Sequence, residues 1–389
     1  MFESEMSQRT AMMRPSLIRQ VAEQGMGDDD IIALWFGEGC WPTSQIAVNA
    51  LNAALGSGDH FYHVNSGKPS LRLALSDYQS ALYQRTLAPH NITVTASAMQ
   101  ALALSAQALI NPGDKVVYVD PVWPNLPEVF QLSGADMTPL SLTPIEGRWH
   151  LDMDRLIALL RPDVKAVMIN TPNNPTGWVM SAEEQQILIA HCQKYGIWII
   201  ADEVYARLYH ASKVAPSFQH LMSSEERLIC VNSFSKAWSM TGWRLGWITA
   251  PRDLEMIFAQ LTEYNIACPA GFVQEAGKAM LQNGEGEIAA LQDRLAKAYQ
   301  VVESRLSAIP NLSFVRPQGA FYALIAVHGY DDSVALATTL MKEAKVGLAP
   351  GAAFGSAAEG YLRLCYAQEE RRLHTAFDRL EAFLVPKKS

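Results

Sequence analysis

Short runs of apolar and β-branched residues recur through the middle of the chain, and a helical pattern follows most of them. Continuous apolar runs of this length are typical of strands that are covered on both faces of a sheet. Their alternation with helices predicts βαβ units and a mainly parallel sheet. The runs are Val116–Val119, Ala166–Ile169, Ile197–Ala201, Leu228–Val231 and Leu245–Thr249.

Polar residues mark where the predicted elements begin and end. Ser181-Ala-Glu-Glu184 has the spacing of a capping box, and Gly196 is placed to end the helix that follows it. Pro269-Ala-Gly271 interrupts the pattern, and a long helical stretch then leads to β-like runs at Leu312–Val315 and Tyr361–Tyr366. The predicted units are an N-terminal segment (1–45) that joins the small domain, a large domain (46–275) and a small C-terminal domain (276–389).

Length, composition and charge limit the class of protein. A chain of 389 residues with 49% hydrophobic and 18% charged residues can form a large packed interior. A net charge of −8 argues against nucleic acid or an anionic membrane as a partner. The five cysteines lack paired spacing, which favours reduced thiols over disulfides or a metal site. Without a secretory signal or a long apolar span, we expect a cytoplasmic protein.

Polar side chains cluster just after the predicted strands, where parallel sheets bind their ligands. Taken singly, each cluster could be a turn, a helix cap or a solvated lysine. Together they match the needs of pyridoxal 5′-phosphate (PLP), which requires an amine, a carboxylate at the ring nitrogen and a donor at the phenolic oxygen. Lys236, Asp202, and Asn174 with Tyr205 would fill these roles. The residues that would hold the phosphate are Ser233, Ser235 and Arg244.

Arg244 stands among Trp243, Leu245 and Trp247, so we expect it to be buried. A buried guanidinium requires an anion as its partner. The phosphate of the cofactor would be that anion.

The segment Ser233–Trp247, SFSKAWSMTGWRLGW, resembles the lysine signature of the class I/II PLP-dependent aminotransferases, of fold type I and the aspartate aminotransferase superfamily. The resemblance covers most of the chain. It implies a large α/β domain with a mainly parallel seven-stranded sheet covered by helices, and a smaller α+β domain. The other motifs, in family order, are Tyr62-x-x-x-x-Gly67-x-x-x-Leu71-Arg72, Thr95-Ala-Ser-Ala-Met-Gln-Ala101, Asn173-Asn-Pro-Thr-Gly177, Asp202-Glu-Val-Tyr205, Pro350-Gly351-x-x-Phe354-Gly355 and Arg363.

The resemblance also implies the reaction and the residues that perform it. An amino group would pass from an L-amino acid to a 2-oxo acid through a Schiff base at Lys236 and a pyridoxamine phosphate form of the cofactor. Lys236 would also move the proton, and Asp202 would keep the pyridine nitrogen protonated. Asn174 and Tyr205 would hydrogen-bond the phenolic oxygen, and Arg363 would bind the substrate α-carboxylate, a bidentate task that suits arginine.

Further positions take roles from the same resemblance. The backbone N–H groups of Ala98 and Met99 would bind the phosphate at a helix N-terminus, with Ser97 in the phosphate turn. Trp123 would stack on the cofactor ring. Tyr62 resembles the tyrosine that reaches the phosphate in the neighbouring subunit, which implies a homodimer with shared sites. The substrate side would be formed by Gly37, Trp41, Asn174 and Arg363.

Three positions depart from the family pattern. Gly37-Glu-Gly-Cys-Trp41 stands where the family often has Gly-x-Pro-x-Phe, and this loop borders the substrate. Ser97 replaces the commoner glycine, and Trp123 replaces the commoner tyrosine, changes that keep a backbone N–H and a stacking ring. The donor, including whether it is aromatic, stays open.

Other activities compete with transamination. A Cβ–S lyase or a decarboxylase would use the same fold and cofactor, because the bond that breaks depends on its orientation to the ring. A PLP-sensing regulator would need a DNA-binding module, and the family-like pattern already begins near Arg14-Pro-Ser16, so we do not expect one. We expect no metal, because His60 and His63 lack metal-ligand spacing.

Overall fold

A computed structural model of the chain describes residues 6–11, 13–221, 223 and 226–385. The predicted terminal units include residues outside these ranges, and the boundaries at 45 and 275 stay predictions. Among the described residues, the α-helices are α1 (Gln8–Ala11), α2 (Leu17–Glu23), α3 (Gln45–Gly56), α4 (Pro69–Tyr83), α5 (Ala98–Leu109), α6 (Asn125–Leu132), α7 (Met153–Leu159), α8 (Ala182–Tyr195), α9 (Phe218–Leu221), α10 (Glu255–Ile266), α11 (Gly271–Asn283), α12 (Glu285–Ala308), α13 (Ser333–Thr339) and α14 (Glu370–Leu384).

The strands of the same described residues include each apolar run of the sequence to within one residue. They are β1 (Ile32–Ala33), β2 (Ile92–Thr95), β3 (Lys115–Asp120), β4 (Asp136–Ser141), β5 (Thr143–Ile145), β6 (Arg148–His150), β7 (Val164–Asn170), β8 (Trp198–Asp202), β9 (Leu228–Ser233), β10 (Gly246–Thr249), β11 (Leu312–Val315), β12 (Tyr322–Val327), β13 (Val346–Gly347), β14 (Ala349–Pro350) and β15 (Tyr361–Cys365).

The large sheet has seven strands in the order β2-β10-β9-β8-β7-β3-β4, which confirms the predicted fold class. β4, β3, β7, β8 and β9 pair in parallel, whereas β10 is antiparallel to both of its neighbours. The predicted start and end of α8 are also confirmed. Ser181 and Glu184 form a capping box, and Gly196 ends the helix in the left-handed conformation.

Both faces of the sheet are buried, which explains the continuous apolar runs. Because side chains alternate across a strand, Val167 and Ile169 of β7 pack into the core on one face with Ile199 of β8. Met168 of β7 and Ile200 of β8 pack into a second core on the opposite face. The two cores hold the sheet between layers of helices.

A second, antiparallel sheet has the order β11-β12-β15-β14 and lies in the C-terminal part of the chain. The N-terminal segment joins this region through β1, which pairs in parallel with β13, with Ile32 opposite Val346. Just after β1, the Leu34 N–H donates to the carbonyl oxygen of Gly347 at 2.8 Å. This pairing places residues 35–41 beside β15. No helix in the described ranges is long and apolar enough to cross a membrane.

Candidate active site

A cavity of about 270 Å³ opens at the edge of the large sheet where its parallel strands end. β7, β8 and β9 end there at Asn170, Asp202 and Ser233, and all three residues line the cavity. A larger open groove of about 730 Å³ lies between α3 and α11, where Asp59 and Glu275 form ion pairs with neighbouring basic side chains. Ligands of such sheets bind beyond the carboxyl ends of the strands, so the smaller cavity is the candidate site.

Lys236 follows β9 and brings its amine into this cavity. Its Nζ donates to the carbonyl oxygen of Gly37 at 2.5 Å and lies 5.6 Å from the centre of the Tyr205 ring. The side chain is partly accessible through the cavity, but protein atoms surround the amine. Burial lowers the pKa of Lys236 to about 8, because a low-dielectric environment disfavours the charged form. An amine with this pKa can act as a nucleophile near neutral pH.

Asp202 ends β8 and is buried, and one of its carboxylate oxygens accepts a hydrogen bond from the Val204 N–H at 3.2 Å. Burial raises the pKa of Asp202 to about 7, against an ordinary value of 3.8. A carboxylate in such a place is stabilised by a ligand that brings a cationic or N–H donor.

Arg363 on β15 is almost fully buried and lies between two aromatic rings. Its guanidinium carbon is 4.6 Å from the centre of the Tyr322 ring and 4.8 Å from that of Phe354. One Nη donates to the Asn174 side-chain oxygen at 2.9 Å, and the other donates to the Trp35 carbonyl oxygen. Nε has no partner, and none of the ion pairs formed by the described residues includes Arg363. This buried cation is held by neutral groups alone.

Asn174 and Tyr205 meet at the same end of the cavity as Arg363. The Asn174 N–H donates to the side-chain oxygen of Asn170 at 2.8 Å, and the Asn170 amide in turn donates to the Asp202 carbonyl oxygen at 3.1 Å. The Tyr205 hydroxyl is 2.7 Å from the hydroxyl of Tyr322. Burial raises the pKa of Tyr205, so the phenol is a neutral donor at physiological pH.

The opposite end of the cavity contains the groups predicted for a phosphate. α5 begins at Ala98, so the N–H groups of Ala98 and Met99 lie in a first turn that offers them no partner within the helix. A Cβ on Gly246 would lie 2.8 Å from the Ala98 nitrogen, so glycine allows β10 to approach α5 this closely. Ser233 and Ser235 also line the cavity, with their hydroxyl oxygens 2.8 Å apart.

Arg244 lines the cavity, but the prediction that it is buried is wrong. The residue follows the short 3₁₀ turn Thr241–Trp243 with a φ of 54°, and its side chain is exposed. Its Nη1 donates to the Thr241 carbonyl oxygen at 2.6 Å. The left-handed backbone turns Arg244 out of the core although its neighbours are apolar, and its charge is therefore solvated at the cavity mouth.

Three other predicted residues lie outside the main cavity. Ser97 caps α5, where its hydroxyl accepts from the Gln100 N–H at 3.1 Å. Trp41 lines a small adjoining cavity beside Lys236, and its indole N–H donates to the Glu369 carboxylate at 2.7 Å. Tyr62 is 86% exposed. Its predicted place in a neighbouring subunit's site stays a prediction.

Gly37 and Trp123, the two positions that the resemblance places at the substrate and at the cofactor ring, both lie in the cavity wall, and their roles stay predictions. A Cβ on Gly37 would overlap the hydroxyl of Tyr322, so only glycine fits at this approach. The Trp123 N–H donates to the Asn174 carbonyl oxygen at 2.8 Å, which ties the loop after β3 to the loop after β7.

Sequence reasoning missed Tyr322 and Asn170, which hold the predicted residues in place. Tyr322 begins β12, a strand that the sequence interpretation did not include. Asn170 is the last residue of β7, and a polar residue that ends an apolar run just before Asn173 is the signal that could have identified it.

The chain is similar to known proteins over almost its whole length. The family model described as aminotransferase class I and II matches residues 30–380. An aspartate aminotransferase of Pyrococcus horikoshii is 31% identical over 388 residues, covering 98% of both chains. An aromatic-amino-acid aminotransferase 2 of Thermococcus litoralis is 30% identical and covers 98% of this chain and 99% of its own. The structure of aspartate aminotransferase from Thermus thermophilus with maleate has a TM-score of 0.90 at 30% identity. The match covers 97% of this chain and 98% of that one.

Proposed function

Because the chain belongs to the class I and II aminotransferases and is a PLP-dependent aminotransferase, we propose that Lys236, Asp202 and Arg363 perform its chemistry. Lys236 binds the cofactor and moves the proton, Asp202 pairs with the ring nitrogen, and Arg363 binds the substrate α-carboxylate. The family implies amino acids and 2-oxo acids as substrates. A Cβ–S lyase or decarboxylase is not favoured, because the named relatives are aminotransferases.

The observation that supports the proposal most strongly is the guanidinium of Arg363, which is buried without a carboxylate partner. An uncompensated charge in the interior is costly, so a site of this kind is completed by an anionic ligand. The rings of Tyr322 and Phe354 fix the plane of the guanidinium. A planar and fixed donor pair suits the two oxygens of a carboxylate.

The donor set fits PLP in this chain. Asp202 offers a carboxylate to the ring nitrogen, and Asn174 and Tyr205 offer an amide and a phenol to the phenolic oxygen. The first turn of α5, with Ser235 and Arg244, offers N–H, hydroxyl and guanidinium groups to a phosphate. When bound, PLP supplies an electrophilic carbon for the amine and a ring that withdraws electrons from the substrate.

Each residue then has a defined task. The Gly37 carbonyl oxygen holds the Lys236 amine inside the cavity, and the pKa of about 8 allows Nζ to take up and return a proton near neutral pH. The carboxylate of Asp202, which is fixed and shielded from water, would stabilise positive charge at the ring nitrogen. Arg363 would hold the substrate α-carboxylate at the end of the cavity where it contacts Asn174.

We further propose a homodimer in which Tyr62 completes the neighbouring site, and a cytoplasmic location. Phe61 is 81% exposed, Tyr62 86% and Tyr264 88%. The Asn65 side chain of the same loop donates to the Ala267 carbonyl oxygen just beyond α10, which ties this loop to the end of the helix that carries Tyr264. Large exposed apolar side chains on neighbouring segments favour a covering partner. The cytoplasmic location is supported by five cysteines that are all free thiols.

The proposal is tested by absorbance spectra of the PLP-loaded protein, recorded before and after each of a panel of L-amino acids is added without an oxo acid. We expect the visible band of the lysine-bound cofactor to convert to the pyridoxamine form. Arg363→Lys should raise the half-saturating donor concentration by roughly tenfold or more, since it loses the bidentate contact. A persistent band with release of pyruvate or carbon dioxide would favour a lyase or decarboxylase. Absence of the band after PLP addition would overturn the role of Lys236.

A further inference from the structure

The cavity wall beside Arg363 is apolar, and the loop that forms it also contacts both reacting ends of the site. The Trp35 carbonyl oxygen accepts from Arg363, and the Gly37 carbonyl oxygen accepts from Lys236 at 2.5 Å. Phe36 stands between these two residues, is half-buried and lines the cavity. Its side chain therefore lies close to where the α-carboxylate and the amino group of a substrate would bind.

Ile18 completes this wall from another part of the chain. It lies in α2, lines the same cavity and is only 7% exposed. It packs in the same core cluster as Trp35 and Phe354, and Phe354 is one of the two rings beside Arg363. The apolar wall is thus built around Arg363, on the substrate side of the cavity, whereas the α5 amides and Arg244 lie at the phosphate side.

From this wall we propose that the amino donor has an uncharged, apolar side chain that packs against Ile18 and Phe36. The inference rests on the function proposed above. Burial of such a side chain removes apolar surface of both partners from water, the ordinary source of affinity in a cavity of this kind.

The charges around the cavity support this choice. Among the described residues, the cations that line it are Lys236, Arg244 and Arg363, and each has a task in the proposed function. Arg19 stacks on Phe36, with its guanidinium carbon 5.9 Å from the ring centre, but it is exposed and does not line the cavity. Among the groups that this subunit supplies, a second carboxylate would therefore meet an apolar wall without a free cation, a costly arrangement.

An acidic group also stands near the cavity. The Glu38 carboxylate accepts from the Thr241 hydroxyl at 3.3 Å, and Thr241 lines the cavity. Glu38 lines the small cavity next to Lys236 as well. Its negative charge would repel a side-chain carboxylate of aspartate or glutamate, because like charges at short range disfavour each other.

The test measures the rate constant of the donor half-reaction, per unit donor concentration, for the PLP-loaded wild type. The donors are methionine, leucine and phenylalanine, compared with aspartate, glutamate, lysine and arginine. We expect the best apolar donor to exceed aspartate and glutamate by roughly tenfold or more. Faster conversion with acidic or cationic donors overturns the inference while leaving the proposed function intact. No conversion with any donor means instead that the proposed function has failed.

Variants of Phe36 show whether this wall determines the donor preference. Phe36→Ala should slow the half-reaction with methionine roughly tenfold. It should affect the half-reaction with alanine as the donor much less, because the side chain of that donor is too short to reach the wall. Phe36→Lys should raise the rate with aspartate roughly tenfold relative to methionine, since it adds the missing cation. Phe36→Leu, which keeps an apolar wall, should retain the wild-type donor ranking and is the matched control for Phe36→Lys. Arg19→Gln is the charge control, and a loss of acidic donors in that variant would contradict the inference, as would an unchanged ranking in Phe36→Lys.

Discussion

The hydroxyl oxygens of Tyr205 and Tyr322 lie 2.7 Å apart, and both side chains are buried. The two rings meet nearly edge to face, with 5.7 Å between their centres. Tyr205 belongs to the turn after β8 of the large sheet, and Tyr322 begins β12 of the small one. When the Tyr322 hydroxyl is the donor of this hydrogen bond, the Tyr205 O–H stays free to donate to another acceptor.

Tyr322→Phe should lower kcat/KM about threefold to tenfold, because it removes one buried hydrogen bond that orients Tyr205. The ring contact with Arg363 remains, so we expect the half-saturating donor concentration to change less than kcat. Steady-state kinetics and the pH profile of the cofactor absorbance check this. Tyr330→Phe, at an exposed position, is the control. An unchanged kcat and an unchanged pH profile would show that the hydrogen bond from Tyr322 is not needed to orient the Tyr205 hydroxyl.

Lys236→Ala should remove turnover, because the variant lacks the amine that we propose binds the cofactor and moves the proton. PLP should still bind weakly through the phosphate contacts, with the spectrum of the free aldehyde. Turnover and absorbance are measured beside Lys115→Ala, an exposed lysine that pairs with Asp163. Turnover at the wild-type level in Lys236→Ala would contradict the proposed role of Lys236.

Asp202 predicts a pH dependence of stability in the cofactor-free protein. Its folded-state pKa, about 7, is raised above the ordinary 3.8 by burial, so the folded state binds the proton more tightly than the unfolded state. The protonated Asp202 therefore stabilises the folded state. This stabilisation is complete below about pH 4 and is lost as the pH rises towards about 7. In Asp202→Asn this loss, of the order of a few kcal/mol, should disappear. Denaturant unfolding across this range tests it, and equal pH slopes in both proteins would contradict the buried carboxylate.

Trp41→Ala should change the donor preference more than the affinity for PLP, because Trp41 lies beside Lys236 rather than at the phosphate. Glu369→Gln weakens the hydrogen bond to the Trp41 indole but keeps the ring. It therefore separates the effect of how the Trp41 loop is positioned from the effect of the Trp41 ring itself. Donor half-reaction rates and PLP titration are compared for both variants. A donor profile identical to that of the wild type would place Trp41 outside the substrate site.

The parts of the fold that sequence predicted well are those with local signals. Strands such as β7 and β8 are buried on both faces and read as continuous apolar runs, and Asp202 marks the end of one of them. The apolar neighbours of Arg244 predicted burial, but the residue has a left-handed backbone that no local pattern signals. Burial of a single residue depends on the direction of the chain as well as on the neighbouring side chains.

The contacts that hold Arg363 could not be predicted from the sequence for a different reason. Its contacts with Trp35, Asn174 and Tyr322 join residues that are far apart in sequence and become neighbours only after two sheets pack together. β1 has two residues, too few for a periodic pattern to reveal a strand. The family resemblance supplied Arg363 and included Phe354 in one of its motifs, but it gave no sign that Phe354 and Tyr322 lie on either side of the guanidinium.

The pairing of β1 with β13 also sets the order in which the site can assemble during synthesis. Residues 34–37 leave the ribosome early, yet Gly347 and Arg363, to which Leu34 and Trp35 bind, follow more than three hundred residues later. A contact between such distant segments forms late, because the intervening chain must first be ordered. The large sheet can therefore fold on a nascent chain in which Leu34 and Trp35 are present but their partners Gly347 and Arg363 are not, so Phe36 reaches its place in the cavity wall last.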